Sequence, residues 1–306
     1  MELQITVLAK WMKLHGNSHP DTLSAMANLA ETYSDLGEFK KAKELDDVVL
    51  EKRRQNLGDS HPDTLKAMGN LAATYWNLKE FRDAADLEIV VMQKRNQTLG
   101  EDHPDTLLAM DNLATTYMDL GEFRKAEDLK VAVLEKWKQH MGDNHPETFK
   151  AMGNLAGTYR VLEKFKKALE LELVVVEKQK QFLGDSHPDT LNTMNNLAAT
   201  YTCLEDFKRA EELLVLVLEK RTQLLGDNNF GTVAAMGNLA LTLGHLNEYK
   251  KAERLQVIVL EKRKQLLGFN HPQSLQAMKN LAVTYHNLDK TKEAEELEKL
   301  IMTYTK

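Results

Sequence analysis

The chain has 306 residues, 42% of them apolar and 28% charged, with 40 basic against 46 acidic side chains. That is enough apolar material for a real core, and a net charge of −6 argues against a nucleic-acid binder, which usually shows a basic excess. One cysteine, Cys203, excludes an intrachain disulfide framework and a cysteine-rich zinc site. No run of about 18 apolar residues predicts a transmembrane helix. The opening Met1-Glu2-Leu3-Gln4-Ile5 lacks the character of a signal peptide, so the cytosol is the expected compartment.

In chain order, Leu3, Val7 and Leu8 begin an apolar helical stripe that Gly16 closes. His19-Pro20 then starts a second helix, since proline suits the first helical turn and Asp21 suits the positive end of the dipole. Leu23, Met26, Leu29, Ala30, Tyr33 and Leu36 line one face of it, and Gly37 breaks it. A third helix carries Phe39, Ala42, Leu45, Val49 and Leu50, and Gly58 is expected to close it as a left-handed cap. Its basic end, Lys52-Arg53-Arg54, complements a helix C-terminus.

This pattern then repeats. His-Pro begins at His19, His61, His103, His145, His187 and His271, and Asn-Leu-Ala begins at Asn28, Asn70, Asn112, Asn154, Asn196, Asn238 and Asn280. The spacing is 42 residues throughout, without insertion or deletion. A fixed period of this length marks a stacked array of identical supersecondary units. The expected organisation is a single array over 1–306. It comprises a half repeat over 1–18 (second helix only) and repeats over 19–60, 61–102, 103–144, 145–186, 187–228, 229–270 and 271–306. Helix A of each is expected roughly from Pro20 to Leu36 and helix B from Glu38 to Asn56, or equivalent, for 15 helices in all. The sixth copy departs most: Asn229-Phe230-Gly231 replaces His-Pro-Asp, Leu243 replaces tyrosine, and Gly244 lies in helix A. It is expected to be the weakest. Neither end reads as a polar cap, because Ile5, Val7 and Leu8 at one end and Leu297 and Ile301 at the other continue the internal pattern. The chain is therefore expected to be a segment of a longer protein or to stack its ends on other copies.

The stretch Asn28-Leu29-Ala30-x-Thr32-Tyr33-x-x-Leu36-Gly37-Glu38-Phe39-x-Lys41-Ala42 resembles the tetratricopeptide repeat (TPR). The 42-residue unit resembles the variant of kinesin light chains and of the C-terminal arrays of nucleotide-binding immune-type ATPases. The resemblance covers essentially the whole chain. It implies an all-α, right-handed α-solenoid superhelix whose concave groove, lined by helix A, takes up partner segments.

Carried onto this sequence, the resemblance places Asn70, Asn112, Asn154 and Asn196 on the inner face. There amides can bind an extended backbone or brace the neighbouring helix. Specificity must come from positions that differ between copies. Trp76, Met118 and Arg160 share one such position, and Trp and Arg favour binding hot spots. Lys66 and Lys150 could hold an acidic group, with Gly69 and Gly153 leaving space. The bland alternative is that this face varies freely and Trp76 folds onto its own array. The expected partner is thus a protein or peptide segment, acidic or aromatic-bearing, with self-association through terminal helices as the other reading. A spacer, or the sensor arm of a larger ATPase, remains a further alternative.

The repeated tyrosines and methionines read as packing. Ala42, Ala84, Ala126, Ala168, Ala210, Ala252 and Ala294 mark close helix crossings. The histidines read as helix starts, since stacked helices about 8–10 Å apart hold equivalent side chains too far apart for zinc bonds of about 2.0–2.1 Å. No phosphate-binding loop, dinucleotide fingerprint or His-Glu-x-x-His occurs, and Gly226 to Thr232 lacks the phosphate-loop lysine. No cofactor, metal, membrane or nucleic-acid partner is expected, and the chain is expected not to be an enzyme.

Overall fold

A computed structural model describes residues 1–304; the last two residues of the expected seventh repeat lie outside the described residues. Among the described residues there are 15 helices and no strand. The first helices of the pairs are α2 (Pro20–Asp35), α4 (Pro62–Asn77), α6 (Pro104–Asp119), α8 (Pro146–Val161), α10 (Pro188–Cys203), α12 (Phe230–His245) and α14 (Pro272–Asn287). The second helices are α1 (Glu2–His15), α3 (Phe39–Leu57), α5 (Phe81–Leu99), α7 (Phe123–Met141), α9 (Phe165–Leu183), α11 (Phe207–Leu225), α13 (Tyr249–Leu267) and α15 (Thr291–Tyr304). The chain divides into two compact units, 1–151 and 152–306.

Each first helix starts for the same reason. The backbone of His19 is extended at the N-cap, and its imidazole Nδ1 accepts the N–H of Asp21 at 3.2 Å. His61, His103, His145, His187 and His271 repeat this bond. It satisfies one of the orphan donors of the first turn. In the sixth repeat Asn229 supplies the bond, its Oδ1 accepting from Gly231 at 2.8 Å. Loss of the His-Pro entry therefore leaves α12 with its start intact. Leu243 is buried in place of the missing tyrosine, so the anchor is replaced rather than lost.

The turn inside each pair is a Schellman closure: Glu38 N–H bonds Tyr33 O at 2.8 Å and Gly37 N–H bonds Ser34 O at 2.9 Å. Gly37 and Gly121 meet its positive φ without strain, whereas Lys79, Glu163, Glu205, Asn247 and Asp289 adopt φ of 56–63°. The glycines ending the second helices are not left-handed caps as expected. Gly58 has φ 84° and ψ 165°, and Gly16, Gly100, Gly142, Gly184, Gly226 and Gly268 resemble it. That extended positive-φ region is essentially open to glycine alone, which explains why the residue never changes there.

Packing follows the alternation. Within 1–151 the helices from α1 to α7 pack consecutively, and within 152–306 those from α9 to α15 do. The seven alanines from Ala42 to Ala294 are all 0% exposed, so the close crossings are where the small residues were expected. Met68, Met194 and Met278 are fully buried as well. The basic ends of the second helices do more than complement a dipole. Arg53, Arg95, Arg221 and Arg263 donate to backbone carbonyls in the first turn of the following helix, at Asp63, Asp105, Gly231 and Gln273. At the same register Trp11 and Trp137 stack on the capping imidazoles of His19 and His145.

Candidate functional site

In 1–151 the first helices line two clefts. One, of about 340 Å³, lies between α2 and α4, with Ser24, Asn28 and Glu31 facing Lys66, Asn70 and Ala73, and with Asp46 and Arg53 of α3 also lining it. The other, of about 210 Å³, lies between α4 and α6 and is lined by Lys66, Gly69, Asn70, Leu108 and Asn112, with Glu88 and Arg95 of α5. Lys66 and Asn70 belong to both clefts, so the two are neighbours along one wall. Their side chains and that of Asn112 engage no protein partner among the described residues. The Oε2 of Glu88 likewise lacks a partner although it is buried. A Cβ on Gly69 would meet nothing within 4 Å, so the glycine marks open space rather than a close approach.

Acidic side chains sit beneath this wall. Asp46 is buried, and its Oδ2 accepts from Thr74 Oγ1 at 2.7 Å. Burial pushes its carboxyl up to about 6, with the Thr74 hydrogen bond opposing the shift. Glu88 is pushed up by burial in the same way, opposed by Thr116. At the equivalent position α7 carries Lys130, whose Nζ bonds Asp111 Oδ1 at 2.9 Å and Thr115 Oγ1 at 3.1 Å. Thus one register of the second helices repeatedly places a polar group against the next first helix.

The remaining expected residues of this unit are partly engaged. Trp76 is half-exposed, and its Nε1 donates to Asp119 Oδ2 at 2.7 Å. Its ring meets Phe81 edge-on with centroids 6.2 Å apart. The indole therefore does fold onto its own array while staying 40% exposed. Met118 is half-buried. Lys150 is exposed and lies 3.9 Å from Glu147 on its own helix.

In 152–306 several of the corresponding groups are tied to neighbours. Arg160 pairs through NH1 with Oε1 of Glu172, which is 1% exposed. Burial raises the Glu172 carboxyl, while Thr200 and Arg160 hold it down. Asn238 Nδ2 donates to Asn195 Oδ1 at 2.9 Å, and Arg221 NH2 donates to Asn192 Oδ1 at 2.6 Å. Arg160 is thereby a brace rather than a free cation. Asn154 is engaged as well, and Asn196 is exposed. The first helices form the inner wall of this unit: α10 touches α12 and α12 touches α14, while no pair of successive second helices comes as close among the described residues. Cys203 is an exposed free thiol, and His245, one repeat on, stacks on Phe207 with centroids 4.7 Å apart.

Family models described as tetratricopeptide repeat match residues 22–63, 64–105 and 190–230, and a second set of the same description matches 112–181 and 232–302. No curated protein sequence matches. Among solved structures, the chain is similar to the nearly identical TPR-like repeats of a kinesin light chain candidate from Podosopora anserina. The identity is 25%, covering 67% of this chain and 97% of that one, with a TM-score of 0.60. It is also similar to a signal transduction ATPase with a tetratricopeptide repeat sensor from Pyrococcus horikoshii, at 15% identity over 93% of this chain and 42% of that one, TM-score 0.66. A Rap protein complexed with competence and sporulation factor matches at 15% identity over 93% of this chain and 77% of that one, TM-score 0.63. At that identity the last two speak for the fold alone.

Proposed function

We propose that this chain, which belongs to the tetratricopeptide repeat family, is a non-catalytic scaffold that holds an extended protein segment on the inner wall of residues 1–151. The observation that carries this reading is the pair of adjoining clefts that share Lys66 and Asn70, lined by amides and a cation with no partner of their own. Asn28, Asn70 and Asn112 offer donors and acceptors to a peptide backbone whatever its side chains. Lys66 favours an acidic group, and the half-exposed indole of Trp76 an aromatic or aliphatic one. The wall is preformed by packed helices, so binding orders only the guest. The Rap protein that carries competence and sporulation factor sets a precedent for the fold. A cytosolic location suits the single exposed thiol, and among the described residues no helix is long and apolar enough to cross a membrane.

The test is a peptide-display screen against the full chain, followed by affinity measurements on the selected peptide. Changing Lys66 and Asn70 together to alanine should weaken binding by about tenfold to a hundredfold, the range expected for removing a few polar contacts at once. Unchanged affinity would remove the site. The second reading, self-association through the end helices, is favoured by the exposure of Leu3 (76%) on α1 and Met302 (65%) on α15. Sedimentation across concentration separates the two, since a persistent monomer rules out self-association.

A further inference from the structure

The second helices of 152–306 carry an exposed aliphatic surface that the inner-wall reading does not use. Leu173 and Val174 on α9 are 44% and 43% exposed, Val215 on α11 is 48% exposed, and Val257 and Ile258 on α13 are 39% and 42% exposed. They occupy the same two register positions in three successive repeats; Leu216, the sixth member, is partly buried. The next residues along each helix, Val175, Val217 and Val259, are buried. The aliphatic pairs therefore lie on the outward side and contribute little to the core. A single exposed valine is ordinary. Five at two adjacent register positions form a band across three helices, and such patches mark contact surfaces.

Charge borders the band. One turn earlier on each helix stand Glu170, Glu212 and Arg254, and one turn later Glu177, Glu219 and Glu261, all exposed. Spacings of three and four residues put these on the same helix face as the aliphatic pair. Glu219 accepts from Gln223 and Glu261 pairs with Lys264, whereas Glu170, Glu177 and Glu212 make no ion pair among the described residues. Carboxylates thus flank both edges at α9 and α11 and one edge at α13. In 1–151 the same register reads Ile5 and Thr6, then Asp47 and Val48, then Ile89 and Val90, then Val131 and Ala132; of these aliphatic residues only Ile5 and Val48, single members on α1 and α3, are exposed.

We propose that this band docks an amphipathic helix of a partner protein, its aliphatic face lying across α9, α11 and α13 and its flanking lysines or arginines meeting the glutamates. A helix fits because one apolar stripe with basic residues on both sides matches a band with two acidic edges. An anionic lipid surface would be repelled by those edges. A second copy of this chain would oppose glutamate to glutamate, since a two-fold contact sets like surfaces together.

The test uses the full chain and a fluorescent leucine–lysine peptide of about 18 residues, or five helical turns, with leucines on one face and lysines on both flanks. Anisotropy titration should show saturable binding. Val215→Glu should weaken it about tenfold, and Glu177→Lys with Glu219→Lys should weaken it similarly and flatten its salt dependence. The charge variant, on an exposed polar surface, keeps the test valid if Val215→Glu perturbs the fold. Val48→Glu, at the same register in the other unit, should leave binding unchanged. The proposal is overturned if Val48→Glu weakens binding equally, if a peptide with glutamates in place of lysines binds as tightly, or if sedimentation shows a dimer that Val215→Glu dissolves.

Discussion

Residues 1–151 and 152–306 are written in the same 42-residue unit, yet they dispose of their polar groups differently. In the first, Lys66, Asn70 and Asn112 face open clefts, and the outward register of the second helices exposes aliphatic side chains only singly, at Ile5 and Val48. In the second, Arg160, Asn195 and Asn238 are tied to neighbours, and the outward side is aliphatic. The fold sets the positions and leaves open whether a given position braces the stack or meets a guest. Two side chains decide the inner wall. A long cation beside a buried carboxylate closes on it, as Arg160 does on Glu172, while Lys66 reaches no such carboxylate and stays free.

The largest effect that would break this contrast is on stability. Arg160→Ala strands Glu172 in a buried site without its cation, and removal of one partner of such a pair costs about 3 kcal/mol. Chemical denaturation should show that loss, and show it growing as pH rises, because the stranded carboxyl is then increasingly forced to ionise. Lys66→Ala should change stability by no more than about 0.5 kcal/mol, as exposed substitutions do. Equal losses would mean that both cations are braces.

A smaller effect sharpens the picture beneath the open wall. Asp46 has its proton held more tightly when folded, at about 6 against an ordinary 3.8. The stability it contributes is full below about pH 4 and is lost as pH rises through about 6. Asp46→Asn, which keeps an acceptor for Thr74, should therefore stabilise the protein by about 3 kcal/mol at pH 8 and by almost nothing at pH 3.5. Melting curves across that range check it. A gain that does not depend on pH would contradict the buried-carboxylate account.

Much of the fold was legible in the sequence because the period and the apolar spacing are direct consequences of helical geometry. Pro20 and its equivalents announced the helix starts, and the alanine series announced the close crossings. The capping atom was less legible: His19 and Asn229 perform one task with different side chains, and only the shared ability of Nδ1 and Oδ1 to accept a hydrogen bond unites them. The geometry of Gly58 could not be read, since glycine permits several positive-φ conformations. The polar residue behind several first helices is marked by its spacing. Asp46 follows Ala42 by four and precedes Val49 by three, so it falls on the buried stripe, as do Glu88, Lys130 and Glu172 one, two and three repeats on. The tie between Arg160 and Glu172 follows from that register, which makes Arg160 a brace and not a free cation.

The central claim, that the guest lies on the inner wall of 1–151, is tested most directly by photo-crosslinking. Ala73 in α4 and Ala199 in α10 are exposed at the same repeat position. A benzophenone amino acid placed at each in turn, with the display-selected peptide bound, gives a matched comparison. Crosslinking from position 73 and little from position 199 is the result this account predicts. Crosslinking from 199 with none from 73 would contradict it.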